Sequence, residues 1–138
     1  MKKIVVDSSV MVKWLNFQNE DHLEQANKVL QDAQDGIIMF LAPELSRYEI
    51  GNALLKKKMD LSKALDTLVA AYSIPVQFVS EAPQLALETY KIADEAKITY
   101  YDASFLALAK QEKTVLVTDN IKHQGKSSAV KVIALKDY

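Results

Sequence analysis

The amino-acid sequence predicts an α/β fold, a three-layer α/β/α sandwich around a mostly parallel central sheet. Three observations predict it. Short apolar runs that read as strands alternate with longer stretches of helical periodicity. The first of these runs, Ile4-Val5-Val6, is apolar on both faces, as a strand covered by helices on each side must be. No linker, repeat or low-complexity tract interrupts the alternation, so residues 1–138 read as one domain, and with 49% hydrophobic residues that domain can bury a sizeable core.

The first strand, Ile4-Val5-Val6, is cut off by Asp7-Ser8-Ser9. Val10, Trp14 and Phe17, with Val12 and Leu15 beside them, then predict a short helix whose start Ser8 or Ser9 can cap. Glu20 to Gln34 reads as an amphipathic helix with Leu23, Ala26, Val29, Leu30 and Ala33 inward, stopped by Asp35-Gly36. Ile37 to Leu41 is the second strand. Pro43, suited to a first helical position, precedes a helix from Glu44 to about Lys58 that carries Leu45, Tyr48, Ala53, Leu54 and Leu55. Asp60 or Ser62 can cap the next helix, whose Leu61, Leu65, Leu68, Val69 and Tyr72 supply an apolar face. Pro75 to Val79 is the third strand. Ser80 to Pro83 opens a helix with Leu85, Ala86, Tyr90, Ala93 and Ala96 at helical spacing, and Ile98 to Tyr101 is a connector. Asp102 starts a helix that buries Phe105, Leu106, Leu108 and Ala109, Thr114 to Thr118 is the fourth strand, and Val130 to Leu135 the last.

Composition narrows the chemistry. Net charge is −1 with 25% charged residues, which excludes the overall positive field of a dedicated duplex-DNA binder. The absence of cysteine excludes disulfides, thiolate catalysis and cysteine-based metal centres, and fits a reducing, cytoplasmic location. No apolar stretch approaches the roughly 20 residues of a spanning helix, and Met1-Lys2-Lys3 leads into a run too short for a signal peptide, so no membrane partner is expected. None of the three glycines, Gly36, Gly51 and Gly125, follows the first strand, which argues against a Gly-rich phosphate loop there.

Four acids interrupt or end apolar elements: Asp7, Glu49, Asp102 and Asp119. Carboxylates so placed are costly unless paired or bound to a cation, and the only arginine is Arg47. Asp7 and Asp119 lie at carboxyl ends of strands, where an open α/β sheet keeps its ligand crevice. Asn52 shares a helix face with Glu49 and could contact the same pocket. Clustered hard oxygens suit Mg²⁺ or Mn²⁺, and one or two such ions, roughly 4 Å apart when paired, would support phosphodiester hydrolysis. Each acid also has a purely structural role open to it: Asp7 and Asp102 as helix-start acids, Asp119 in a turn, Glu49 on a solvent face.

With these residues in view, the chain resembles the PIN-domain ribonucleases, most closely the small VapC-type toxins of toxin-antitoxin pairs. The resemblance rests on four blocks: Val6 to Trp14, Tyr48 to Leu54, Tyr101 to Ala109, and Leu116 to Asn120. It implies a PIN-like fold and a metal site of Asp7, Glu49 and Asp102, completed by a fourth acid near Thr118. Many members have threonine, any residue, then aspartate, which puts Asn120 at the usual acidic position and Asp119 one residue early. The resemblance further implies RNA as substrate, a homodimer, and a small antitoxin whose C-terminal segment lies in the groove leading to the site. Ser9, Asn52, Thr118 and Asn120 are then supporting residues. Trp14 or Phe17 could line the groove, although packed core is the commoner fate of such residues.

Lys13, Lys122 and Lys126 neighbour the site blocks and are the candidate phosphate contacts, whereas Lys56, Lys57 and Lys58 suit a helix C-terminus. Rival chemistries fit less well. A haloacid-dehalogenase-like phosphatase wants a second aspartate where Ser9 stands, a receiver-like domain wants paired acids near the first strand, and a Ser9/His123/Asp119 hydrolase lacks the nucleophile-elbow glycines. His22 and His123 read as surface residues. The non-enzyme alternative is a PIN-like module that grips RNA or protein without cutting.

Overall fold

The computed structural model describes residues 1–138. Five strands form one sheet in the order β3-β2-β1-β4-β5, every neighbouring pair parallel. They are β1 (Lys2–Val6), β2 (Ile38–Pro43), β3 (Val76–Val79), β4 (Leu116–Thr118) and β5 (Val132–Ala134). The helices are α1 (Ser8–Leu15), α2 (Leu23–Gln34), α3 (Ser46–Lys56), α4 (Leu61–Ala70), α5 (Pro83–Ala96), α6 (Tyr100–Gln111) and α7 (Ile121–Gln124). The predicted three-layer α/β sandwich is therefore present, with the sheet wholly parallel.

Strand order sets the position of the crevice. The chain steps from β1 to β2 and β3 on one side, then crosses back to β4 and β5 on the other. The carboxyl ends of β1 and β4 therefore lie at the topological switch point, where connections leave in opposite directions and the helix starts stand apart. Register fixes the depth of the two ends: Val5 pairs with Leu116 and Val6 with Val117, so Asp7 and Thr118 emerge together. On the other side Ile4 and Val5 pair with Phe40 and Leu41.

The core is continuous. Ile4, Val5, Val6, Phe40, Leu116 and Val117 of the sheet are at most 3% exposed, and Val10, Met11, Ile50 and Phe105 cover them from the helices. The helix α6 carries a run of seven buried residues, Ala103 to Ala109, because it packs on β1, β2 and β4 while α5 packs against it. Trp14 stacks on Phe40 with ring centroids 5.2 Å apart and donates its indole N–H to the carbonyl of Ala26 at 2.8 Å, joining α1 to β2 and α2. Trp14 is therefore packing; Phe17 lies beyond α1 and is exposed.

Several element boundaries differ from the sequence reading, each for a local reason. Asp7 itself caps α1, accepting from the amide of Ser9, so neither serine is needed there. The helix α2 starts at Leu23 rather than Glu20, because His22 takes a left-handed backbone (φ 58°) and Glu20 is held elsewhere. Pro43 ends β2, opposite Val79, instead of opening a helix. The helix α6 starts at Tyr100, two residues before Asp102, because Thr99 caps it by accepting from the amide of Asp102 at 3.0 Å. Asp60 occupies the cap position of α4 with no side-chain bond, and α4 buries none of its residues, so its apolar face looks outward. Gly36, at φ 74°, makes the left-handed turn expected after α2.

Candidate active site

All four sequence-predicted acids reach the carboxyl edge of the sheet. Asp7 follows β1, Glu49 is in the first turn of α3, Asp102 is in the first turn of α6, and Asp119 follows β4. For α1, α3 and α7 the helix follows a strand directly and so starts at its carboxyl end, whereas α6 follows α5 and leads into β4; helix dipoles at such starts also favour anions.

Asp7 is the buried centre. It is 5% exposed, its Oδ2 accepts from the amide and hydroxyl of Ser9 at 3.1 and 2.6 Å, and its Oδ1 accepts from Nε2 of Gln124 at 3.1 Å. Burial pushes its carboxyl above the ordinary aspartate range; the bonds from Ser9 and Gln124 oppose this, and the charge of Asp102 adds to it. Glu49, half-buried, accepts from the hydroxyl of Ser8 at 2.5 Å. Its carboxyl is also raised, first by burial, against the Ser8 bond, and then by the charges of Asp7 and Asp102. Asp7 thus feels the charge of Asp102, and Glu49 the charges of Asp7 and Asp102.

The fourth acid behaves differently. Asp119 Oδ2 pairs with Nζ of Lys13 at 3.0 Å, while Asn120 turns its amide to Oδ1 of Asp102 at 3.3 Å. Asn120 rather than Asp119 therefore faces the acid pocket. This corrects the placement of Asp119 among the converging acids, and the cause is the adjacent pair itself: successive residues after a strand point in different directions, and Lys13 captures the first. Ser9 braces the turn by accepting from the amide of Asp119 at 3.1 Å, and the Thr118 hydroxyl accepts from the amide of Asn120 at 2.8 Å.

Lys13 is not presented to a polyanion, which corrects its reading as a phosphate contact. Its side chain is 1% exposed, and its three ammonium hydrogens meet Glu20 Oε1 at 3.0 Å, the carbonyl of Asp21 at 2.7 Å and Asp119. Burial alone would lower the ammonium pKa, but the carboxylates of Glu20 and Asp119 raise it overall. Glu20 also takes Nζ of Lys57 at 2.5 Å; burial acts to raise its carboxyl, and the two lysines bring it below the ordinary range. Lys122 and Lys126, in contrast, are exposed and line one shallow cleft beside α7. Asn52 is exposed and lies with Glu44, Arg47 and Tyr48 on a neighbouring cleft instead of bonding to Glu49. His22 and His123 are on the surface.

Two residues at the site were not among the sequence candidates. Ser8 entered only as a possible cap, although its hydroxyl holds Glu49. Gln124 is fully buried and donates to Asp7 and, at 3.4 Å, to the carbonyl of Asp102. The helix that carries it is four residues long, too short for a periodicity to be seen.

The donor set suits a hard divalent cation. Asp7, Glu49 and Asp102 offer carboxylate oxygens, with the Asn120 amide beside them, and their mutual repulsion is relieved by positive charge. No group of three acidic or imidazole side chains is close enough to hold an ion between them directly, and Glu49 and Asp7 are bonded to Ser8 and Ser9. An ion that keeps several of its waters, as Mg²⁺ does, needs no such direct enclosure.

Comparison with known proteins agrees with the geometry. No functionally curated protein matches the chain in sequence. Among solved structures, VapBC2 from Rickettsia felis, bound to a DNA fragment from its promoter, is 14% identical over 96% of this chain and 98% of that one, with a TM-score of 0.72. PAE2754 from Pyrobaculum aerophilum is 26% identical over 98% and 92%, with a TM-score of 0.64. The Mycobacterium tuberculosis toxin VapC20, described as cleaving the sarcin-ricin loop, is 14% identical over 82% and 86%, with a TM-score of 0.63. The sequence profile of the PIN domain matches residues 4–125, spanning β1 to the end of α7 and all the acids above, and the chain belongs to the PIN domain family.

Proposed function

We propose that this PIN domain is a metal-dependent endoribonuclease acting on single-stranded regions of RNA, and that it is the toxin of a toxin-antitoxin pair. One observation carries the reading: Asp7, Glu49 and Asp102, from three elements remote in sequence, meet at the switch point of a parallel sheet, and no lysine or arginine pairs with any of them. The likeness in fold to the sarcin-ricin-loop-cleaving toxin of M. tuberculosis and to a toxin-antitoxin complex from Klebsiella pneumoniae supports it.

Asp7, Glu49 and Asp102 would hold Mg²⁺ or Mn²⁺, with Asn120 at the edge. The bound ion supplies an activated water and charge for the leaving oxygen of the phosphodiester. The protein's own part is to fix Glu49 and Asp7 through Ser8 and Ser9, to hold Asn120 beside Asp102 through Thr118, and to offer Lys122 and Lys126 to flanking phosphates. The antitoxin would cover the apolar groove between α3 and α4, lined by Leu54, Leu55, Met59, Leu61, Leu65 and Leu68. Leu55 and Leu61 there are more than 70% exposed, and contiguous exposed apolar side chains mark interaction sites. A homodimer is part of the proposal, supported by the exposed Tyr48, Leu87, Tyr90 and Tyr101. A cytoplasmic location goes with an RNA target; no helix is long and apolar enough to cross a membrane.

The second reading, a module that binds RNA or protein without cutting, draws on one observation, the uncharged Asn120 beside Asp102. A mixed RNA pool incubated with Mn²⁺, with chelator, and with the Asp7→Asn variant separates the two. Cleavage that needs both metal and Asp7 is expected, and equal behaviour of the two proteins in Mn²⁺ would refute nuclease activity at this site.

A further inference from the structure

We infer that Gln124 is a positioning residue, one that restricts Asp7 to binding the divalent cation through a single oxygen; this rests on the metal-site reading above. A carboxylate offers about four lone-pair sites. The Ser9 amide and hydroxyl occupy both sites of Asp7 Oδ2, and the Gln124 amide occupies one of Oδ1. One site is left, on Oδ1, and Gln124 sets its direction.

The same amide reaches the backbone carbonyl of Asp102, so a single side chain links the end of β1 to the first turn of α6. Those two acceptors also decide which way the amide faces, because turning it over would set Oε1 against the Asp7 carboxylate. Its backbone is firmly placed. The amides of Gln124 and Gly125 donate to the carbonyls of Asn120 and Ile121 at 3.2 and 2.9 Å, and a Cβ at Gly125 would come within 2.5 Å of the Ile121 carbonyl oxygen.

Gln124 is costly for the fold by itself. It is fully buried, and its Oε1 has no hydrogen-bond partner. A residue kept for packing would be apolar here, since a leucine of similar size leaves no orphaned acceptor. The chain instead keeps an amide whose donor is spent on Asp7. A positioning role therefore predicts that Gln124→Leu changes the affinity for Mn²⁺, whereas a packing role predicts that it changes stability alone.

The test measures Mn²⁺ binding by isothermal titration calorimetry and melting temperature in chelator, on the wild-type full chain and on Gln124→Leu and Gln124→Asn. For Gln124→Leu the expected result is a Kd for Mn²⁺ raised 10–100-fold, the range seen when an outer-shell partner is lost, in a chain that is still folded at the temperature of the titration. Gln124→Asn keeps the amide but withdraws it by one methylene, and should also weaken Mn²⁺. A wild-type Kd in Gln124→Leu, or a melting temperature in chelator that falls without a change in Kd, overturns the inference. If Gln124→Leu does not fold, a wild-type Kd in Gln124→Asn overturns it. Failure of the wild-type chain to bind Mn²⁺ overturns the metal-site reading itself, a separate outcome from either of these.

Discussion

Asn120→Asp rebuilds the acid that the site lacks and should be felt in opposite directions with and without metal. The Asn120 amide nitrogen lies 3.3 Å from Asp102 Oδ1. A carboxylate in its place sets two like charges at that distance, about 5 kcal/mol of gross repulsion at an effective dielectric of 20. Both residues are partly exposed, so the new side chain can rotate toward solvent and salt screens what remains, leaving about 1–2 kcal/mol. For a domain of this size each kcal/mol moves the midpoint by roughly 3–4 °C, so the variant should melt about 3–8 °C below wild type in chelator. Thermal unfolding followed by circular dichroism at pH 7.5 and low salt reads this directly, and 0.5 M salt should narrow the gap. With Mn²⁺ the order should reverse or close, because the added charge binds the ion in the folded state only. A variant that melts at or above wild type in chelator would show that Asn120 does not face Asp102, and the assignment of the fourth position would fall.

The raised carboxyls of Asp7 and Glu49 give a pH signature. Their unfolded values, near 3.8 and 4.5, lie below the folded ones, so the native state holds these protons more tightly and the metal-free protein loses stability as pH rises from about 4 through the folded values. Asp7→Asn should therefore stabilise the chain in chelator at pH 7.5, with Gln124 turning over so that Oε1 accepts from the new amide, and urea titrations should show the gain shrinking toward pH 4; a pH-independent difference would contradict the burial of charge. Lys13→Met should cost about 1–3 kcal/mol in urea unfolding, less than the roughly 3–5 for breaking a wholly buried pair, because Asp119 and Glu20 stay 29% and 19% exposed and Glu20 keeps Lys57. Because the Lys13 ammonium is raised, its contribution is complete below about pH 10 and lost above its folded value, so wild type and variant should converge at strongly alkaline pH. Lys97→Gly, at the left-handed residue ending α5 (φ 57°), should stabilise by about 1 kcal/mol; the Asp94 pair it removes is exposed on both sides, and a loss of stability would mean that this pair matters more than the backbone.

The frame was legible because each strand is an apolar run with a polar stop, and Asp7, Glu49 and Asp102 were legible because each breaks an apolar pattern. What sequence spacing did not carry was direction. Asp119 and Asn120 are neighbours, and only the folded turn shows that one meets Lys13 and the other Asp102. Lys13 looked like an exposed cation because its acceptors, Glu20, the Asp21 carbonyl and Asp119, come from an irregular segment and from a strand end more than a hundred residues away. The apolar stripe of α4 was visible, but amphipathicity says that a face seeks cover and not what covers it. Gln124 left no trace, since a single turn of helix has no period.

The seven consecutive buried residues of α6 have a consequence for how this protein can vary. A helix enclosed on all sides has no neutral face on which to turn, so the direction of Asp102 is set by the whole core and not by its own contacts. Inserting one residue between Asp102 and Ala103 would swing the carboxylate about 100° around the helix axis while the buried run stayed in place. Substitutions within the run change packing volume; insertions change where the charge points. The spacing between Asp102 and the first core residue is thus a length standard for the site, and natural variation should accumulate in the connection before Thr99 rather than after it.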